Sequence, residues 1–568
     1  MPHARRRGAR LALLVVSVLA LAGAPAPSPA DRLLAALQDE LSRSMAGLEQ
    51  KGDPAPYFLS YLVTDTTSFR LSAAYGAIRD RETLRARLLD VEVRAGDRSL
   101  DNFHRMRGES GGSVYRRPVR LPLEDDPRAI RSALWLETDR RYREAVEKLI
   151  QIKTQQAVKV KEEDSSEDFS REEPSRWIGP ETEVEPDAER WERRVREYSA
   201  LLDASPEIQG SSADLIFERK TRYFVSSEGS AVREESASWR LALWATTRAD
   251  DGMDLYRFEN FDARELRRLP DDSAVRATIR RMVEDLLALR RAPVVEPYTG
   301  PAILEGRAAG VFFHEIFGHR IEGQRQKDEE EGQTFTRKIG QAVLPAFLSI
   351  RDDPTRERIG DVDLNGSYRY DDEGVKAQNA TVVESGVLKG FLMSRSPVAG
   401  FARSNGHGRK APGFRAAGRQ ANLIVESSRS VSEKRLREML IEECRRQGKP
   451  FGLIFRDISG GFTVTGRGFP QAFQVSPILV YLVFTDGRPD ELVRGVDLIG
   501  TPLASFGKIL AASDRVSVFN GYCGAESGYV PVSAVSPSIL TAEIEIQKRA
   551  KSPDRPPILP PPERRRAE

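Results

Sequence analysis

The stretch VFFHEIFGHRIEG, residues 311–323, sets His314, Glu315 and His319 within six positions, in a chain that has five histidines in all. Neutral imidazoles bind zinc well, and three protein ligands leave a fourth position open for water. A carboxylate beside such a water can take its proton. The H-E-x-x-x-H spacing therefore points to a metal site with Glu315 as general base on a zinc-bound water. Glu322, three residues beyond His319, is a further ligand or the partner that fixes an imidazole. The plain alternative is two histidines on an ordinary polar helix stripe.

On an ideal helix at about 100° per residue, Phe312, Phe313, Ile316, Phe317 and Ile321 share one arc. His314, Glu315, His319 and Glu322 share the other, with Val311 and Arg320 breaking the pattern. The two histidines fall about 140° apart in that geometry, against about 40° for an i, i+4 pair. One metal for both demands a distorted turn, and Gly318 is the residue type that permits it.

A third ligand must come from elsewhere, and His104, His407, Cys444 and Cys523 are the candidates. Cys523 sits in VFNGYCGAESGYVPV, a glycine-flanked turn before a strand, where a thiolate makes a good zinc ligand. Two alternatives stay open for it: a disulfide to Cys444, and a nucleophilic thiolate with a histidine base. Cys444 itself lies on the helical pattern LREMLIEECRRQG.

These residues need a scaffold, and 568 residues are enough for at least two domains. Residues 1–30 pair an arginine-rich start with a short apolar run and A-x-A-like sites, the parts of a signal peptide. Export to the periplasm or medium is expected, with no stable membrane span after cleavage. Residues 31–291 read as an α+β domain: helices over 32–51, 126–160, 191–202 and 275–289, with alternating strands between them. The charged run EEDSSEDFSREEPS opens an insertion near 162–190 and reads as a mobile loop. Residues 292–550 hold the motif and become strand-rich, with TDGRPD and SGG as turn signals. Residues 551–568 form a Pro/Arg tail of disordered composition. A net charge of +2 in a chain 30% charged gives no argument for nucleic acid as partner.

Two weaker signals remain. GESGG at 108–112 fits G-x-S-x-G around Ser110, with His104 near, but lacks the strand before and helix after that a nucleophile elbow needs. The basic, glycine-rich SNGHGRKAPGFRAAGRQAN offers Arg415 and Arg419 as anchors for a substrate main chain or carboxylate, and His407 as a fourth ligand or oxyanion donor. A solvated loop is the alternative there.

Together HEIFGHRIEG, the preceding PYTGPAILEGRAAGVFF, GHGRKAPGFRAAGRQANLIVE, SGGFTVTGRGFPQAF and the late CG turn with its VPV and SPSI strands resemble the TldD/PmbA metallopeptidases, strongly over about 297–547. The resemblance implies a TldD-like, two-domain α+β subunit with an α/β N-terminal domain and a strand-rich catalytic C-terminal domain. It implies zinc held by His314, His319 and Cys523, and Glu315 as the catalytic acid/base. It also implies a dimer, with itself or a paralogue, acting on peptides or unfolded protein segments. The export signal departs from the cytoplasmic members of that family. The rival expectation is a non-catalytic envelope protein that binds or scaffolds, with structural zinc or none.

Overall fold

The computed structural model describes residues 29–105, 115–156, 164–181, 187–328, 331, 334–463, 465–466, 473–500 and 505–549, with 557, 559 and 562. Residues 1–28, on which the signal-peptide expectation falls, Ser110 and most of the tail lie outside the described residues.

Long alternating runs in the first half form a meander of β1 (Pro56–Ala74), β2 (Ala77–Ala95), β3 (Gly210–Ser226), β4 (Ala231–Arg248) and β5 (Asp254–Ala263). Its order is β2-β1-β3-β4-β5, antiparallel throughout. Because strand side chains alternate, the odd-numbered residues of β1 share one face. Leu59, Tyr61 and Val63 pack under helices α1 (Pro29–Lys51) and α2 (Pro127–Gln156). Phe69, Leu71 and Ala73 pack with α3 (Ala188–Leu202) and α4 (Asp272–Arg291). Asp187 and Asp271 cap these last two helices, accepting from the Arg190 and Ala274 amides. On the opposite face Leu62, Phe224 and Val232 meet Tyr370 of the second half.

The chain leaves α4 at Arg291 and enters the second sheet at β6 (Tyr298–Leu304). There follow α5 (Gly306–Ile316), β7 (Leu348–Asp352), β8 (Ala380–Glu384), β9 (Asn422–Ser427), α6 (Glu433–Arg446), β10 (Phe451–Thr463), β11 (Phe473–Phe484), β12 (Val496–Gly500), β13 (Ile509–Ala525) and β14 (Gly528–Lys548). Strands β6, β10, β11, β12 and β14 pair in a closed circuit, since β14 bonds both β12 and β6. Strand β9 joins that circuit by parallel pairing with β14 and carries β7 and β8 beyond it. The apolar side of α5 fills the core, where Phe312, Phe313 and Phe317 pack on Phe506. The halves are firmly joined: Ile478 and Leu479 of β11 enter the first domain's core, and Arg257 and Arg222 pair with Asp457 and Asp372 at 2.6 Å. Among the described residues no helix is long and apolar enough to cross a membrane.

Two sequence expectations fail. The SGG signal makes no hairpin turn: Ser459, Gly460 and Gly461 run on within β10, where bulges absorb the irregularity. The described part of the charged run, from Asp164, is held rather than mobile. Its one aromatic residue, Phe169, is buried between the guanidinium groups of Arg94 and Arg395, 3.7 and 3.8 Å from the ring centroid. Asp168 beside it pairs with His104 at 2.9 Å, which ties up that histidine.

Candidate metal centre

Helix α5 reaches the centre by running close against the β13–β14 hairpin, and its first turns are small for that reason. A Cβ on Gly306 would stand 2.7 Å from Ser517 Cβ, and one on Gly310 would stand 3.0 Å from the Ala534 carbonyl oxygen. The helix then ends at Ile316, and Phe317 (φ −102°, ψ −52°) passes the chain into a 3₁₀ turn, Gly318–Ile321. His314 and His319 therefore stand on two short helical pieces without a common axis. The 140° conflict of an ideal helix disappears, and the two rings meet edge to face with centroids 5.2 Å apart.

Gly318 serves this corner differently from the expectation. Its backbone is not left-handed; instead a Cβ there would fall 1.8 Å from Gln420 Oε1. The Gln420 amide occupies that space and donates from Nε2 to the His314 carbonyl at 3.3 Å. Arg320, which broke the amphipathic pattern, is buried for a local reason. It donates to the Ile316 carbonyl at the open end of α5 (2.9 Å) and to Thr463 Oγ1 (2.9 Å).

Cys523 arrives from β13, opposite Val530 of β14, in a hairpin turning at Glu526 and Ser527. Its Sγ lies 3.3 Å from His319 Nε2. Donor atoms of His314, His319 and Cys523 all lie within 4.8 Å of one another, and all three residues are buried. The other ring nitrogen of His319, Nδ1, faces Glu322 Oε1 at 3.3 Å, which fixes Nε2 as the atom turned to the thiol. Glu322 is fully buried, with Arg325 Nε donating to its Oε2 at 2.8 Å. Glu315 Oε2 stands 4.0 Å from His319 Nε2, at the edge of the donor group, with its Cγ against Gly461 of β10.

The charges of the group are set by its own members. Burial pushes the Cys523 thiol up, but His319 and His314 outweigh it and hold the thiol well below its ordinary pKa. His319 is pulled down by burial yet raised well above its usual value by Cys523 and Glu322. Glu322, raised by burial, is brought below the ordinary carboxylate range by His319 and Arg325. In addition, His314 Nδ1 is buried with no hydrogen-bond partner among the described residues. Two imidazoles and a thiolate, close together and shielded from water, fit the three protein ligands of a zinc site with an open position.

The remaining candidates fall elsewhere. His407 is neither a fourth ligand nor an oxyanion donor, because both ring nitrogens are engaged: Nδ1 with Asn405 Oδ1 at 2.9 Å and Nε2 with Asp352 Oδ1 at 3.3 Å. Arg419 is not a substrate anchor, since its buried guanidinium is used on Cys523, Ser527 and Gly528. Arg415 is exposed, rests on the Phe103 ring and donates to the Phe103 carbonyl at 3.2 Å. Cys444 and Cys523 are both free thiols, and Cys444 packs with Leu436 and Leu440 in the core beneath α6. Sequence reasoning missed Gln420 and Gly461, because neither type carries a chemical signature; each matters through what its space holds.

A two-domain α+β fold with a buried His–His–Cys group is thus the class of this chain. Residues 297–548 match the PmbA/TldA metallopeptidase C-terminal domain. Relatives in sequence include metalloprotease MJ0996 of Methanocaldococcus jannaschii, 29% identical over 40% of this chain and 47% of that protein. They also include a metalloprotease TldD homolog of Haemophilus influenzae, 27% identical over 43% of this chain and 48% of that protein. A zinc metalloprotease TldD homolog of Saccharolobus solfataricus is 24% identical over 43% of this chain and 51% of that protein. The chain spans about half the length of these curated relatives. The whole fold is TldD/TldE-like. TldE from Thermococcus kodakarensis superposes with a TM-score of 0.58 at 15% identity, over 89% of this chain and all (100%) of its own. The Thermotoga maritima protein TM0727 gives 0.61 at 17% identity, over 90% and 99%.

Proposed function

We propose that the chain is an exported zinc metallopeptidase that hydrolyses peptides or unfolded protein segments, working as a dimer with itself or a paralogue. The observation that carries this reading is the buried donor group of His314, His319 and Cys523, within 4.8 Å of one another, with the Glu315 carboxylate 4.0 Å from His319 Nε2. His314, His319 and Cys523 would hold the metal. A zinc ion bound there supplies Lewis-acid polarisation of the scissile carbonyl and acidifies water. Glu315 accepts a proton from the attacking water and delivers it to the leaving amine nitrogen, so that the carboxylate is regenerated each cycle. Glu322 keeps Nε2 of His319 turned towards Cys523 through its contact at Nδ1. The relatives named as metalloproteases support the same class of chemistry.

The test is Glu315→Gln. It should keep about one zinc per chain and lose hydrolysis of an unstructured peptide by 10²–10⁴-fold, the range of a general base. Full activity in that variant would end the mechanism.

A further inference from the structure

His319 and Cys523 are 204 residues apart in sequence, and each stands on a separate element, so something must set the distance between them. One buried side chain touches both sides. Arg419 Nη2 donates to the Cys523 carbonyl at 2.9 Å. Its Nη1 donates to Ser527 Oγ at 2.7 Å, in the turn of the same hairpin, and to the carbonyl of Gly528, the first residue of β14, at 3.1 Å. Its Nε lies 3.3 Å from Glu322 Oε1, the oxygen that faces His319 Nδ1, in a charge contact that is not aligned as a hydrogen bond. Both residues of that ion pair are 0% exposed, so the contact is undiluted by solvent. The next residue, Gln420, reaches the His314 carbonyl.

We infer that Arg419 is a positioning residue for the metal centre, its guanidinium tying the Cys523 hairpin to the Glu322–His319 pair and so fixing the thiolate-to-imidazole distance. The inference rests on the metallopeptidase reading of the site. All three nitrogens of the guanidinium face protein groups, which leaves no edge for substrate. A planar fork is what this geometry requires: one group reaches backbone carbonyls and a hydroxyl on one side and a carboxylate on the other. A lysine keeps the charge but has a single point of donation.

The experiment compares wild type, Arg419→Lys, Arg419→Met and Ser527→Ala, purified metal-free and titrated with cobalt(II). Three quantities are read: stoichiometry, affinity against a chelator, and the near-ultraviolet thiolate-to-cobalt charge-transfer band. Wild type should bind one cobalt with a strong band. Arg419→Lys should bind about 10–100-fold more weakly, the scale for outer partners of metal ligands, with a weakened or shifted band. Ser527→Ala, which removes one anchor of the guanidinium and leaves the fold alone, should move the band in the same direction by less. A folded Arg419→Lys or Ser527→Ala protein with wild-type affinity and an unchanged band would overturn the positioning role while leaving the metal reading intact. Absence of cobalt binding in wild type would overturn both. Should Arg419→Met not fold, the other two variants decide.

Discussion

Gly461→Ala separates chemistry from stability at this site. Gly461 lies in β10 beside Glu315, and its backbone does not adopt the left-handed conformation that demands glycine. An alanine Cβ there would stand 2.5 Å from Glu315 Cγ and 3.0 Å from Cδ. Carbon atoms settle at about 3.5–4.0 Å, so the Glu315 side chain must withdraw by about 1 Å. A shift of that size at a reacting group costs about 10²-fold in rate, or about 2.7 kcal/mol of barrier. The fold should not suffer, since alanine in a strand is better than glycine by about 0.5–1 kcal/mol. The expected result is kcat/KM on an unstructured peptide lowered about 100-fold, with zinc content and melting temperature at or above wild type. Activity within threefold of wild type, with zinc bound, would refute the placement of Glu315 against β10. A fall in both zinc and stability would refute the claim that only the base moves.

Glu322→Gln should destabilise the protein by about 3–5 kcal/mol near neutral pH, because His319, Arg325 and Arg419 lose one shared buried anion. The folded carboxyl sits below its unfolded value of about 4.3, so its stabilisation is complete above that pH and is lost as pH falls through the folded value. Urea unfolding of both proteins from pH 7 to pH 3 should therefore show a gap that narrows below about pH 4; a constant gap would count against the ionised Glu322. Cys444→Ala should leave metal content and activity unchanged and cost about 1–2 kcal/mol from lost packing. Both thiols of wild type should titrate in denaturant without reductant, and finding none would restore the disulfide.

The stretch around His314 and His319 was legible in sequence as a candidate metal site because two imidazoles and a carboxylate lie within six positions. The α+β alternation was equally legible, since strands of 17–21 residues and capped amphipathic helices announce themselves by period. Arg419 shows the limit. A basic residue in a glycine-rich stretch reads the same whether it meets a substrate carboxylate or a buried backbone carbonyl, and the difference lies in which elements the fold brings to it. Phe169 makes the same point, as one aromatic in a charged run has no periodicity to reveal its burial between Arg94 and Arg395. Sequence alone thus determined which side chains could bind a metal and carry a proton. Only the tertiary structure decided how His314 and His319 escape the helix geometry that keeps them apart, and which distant residues hold Cys523 against them. Those are matters of close packing across long sequence separations, which local residue patterns do not encode.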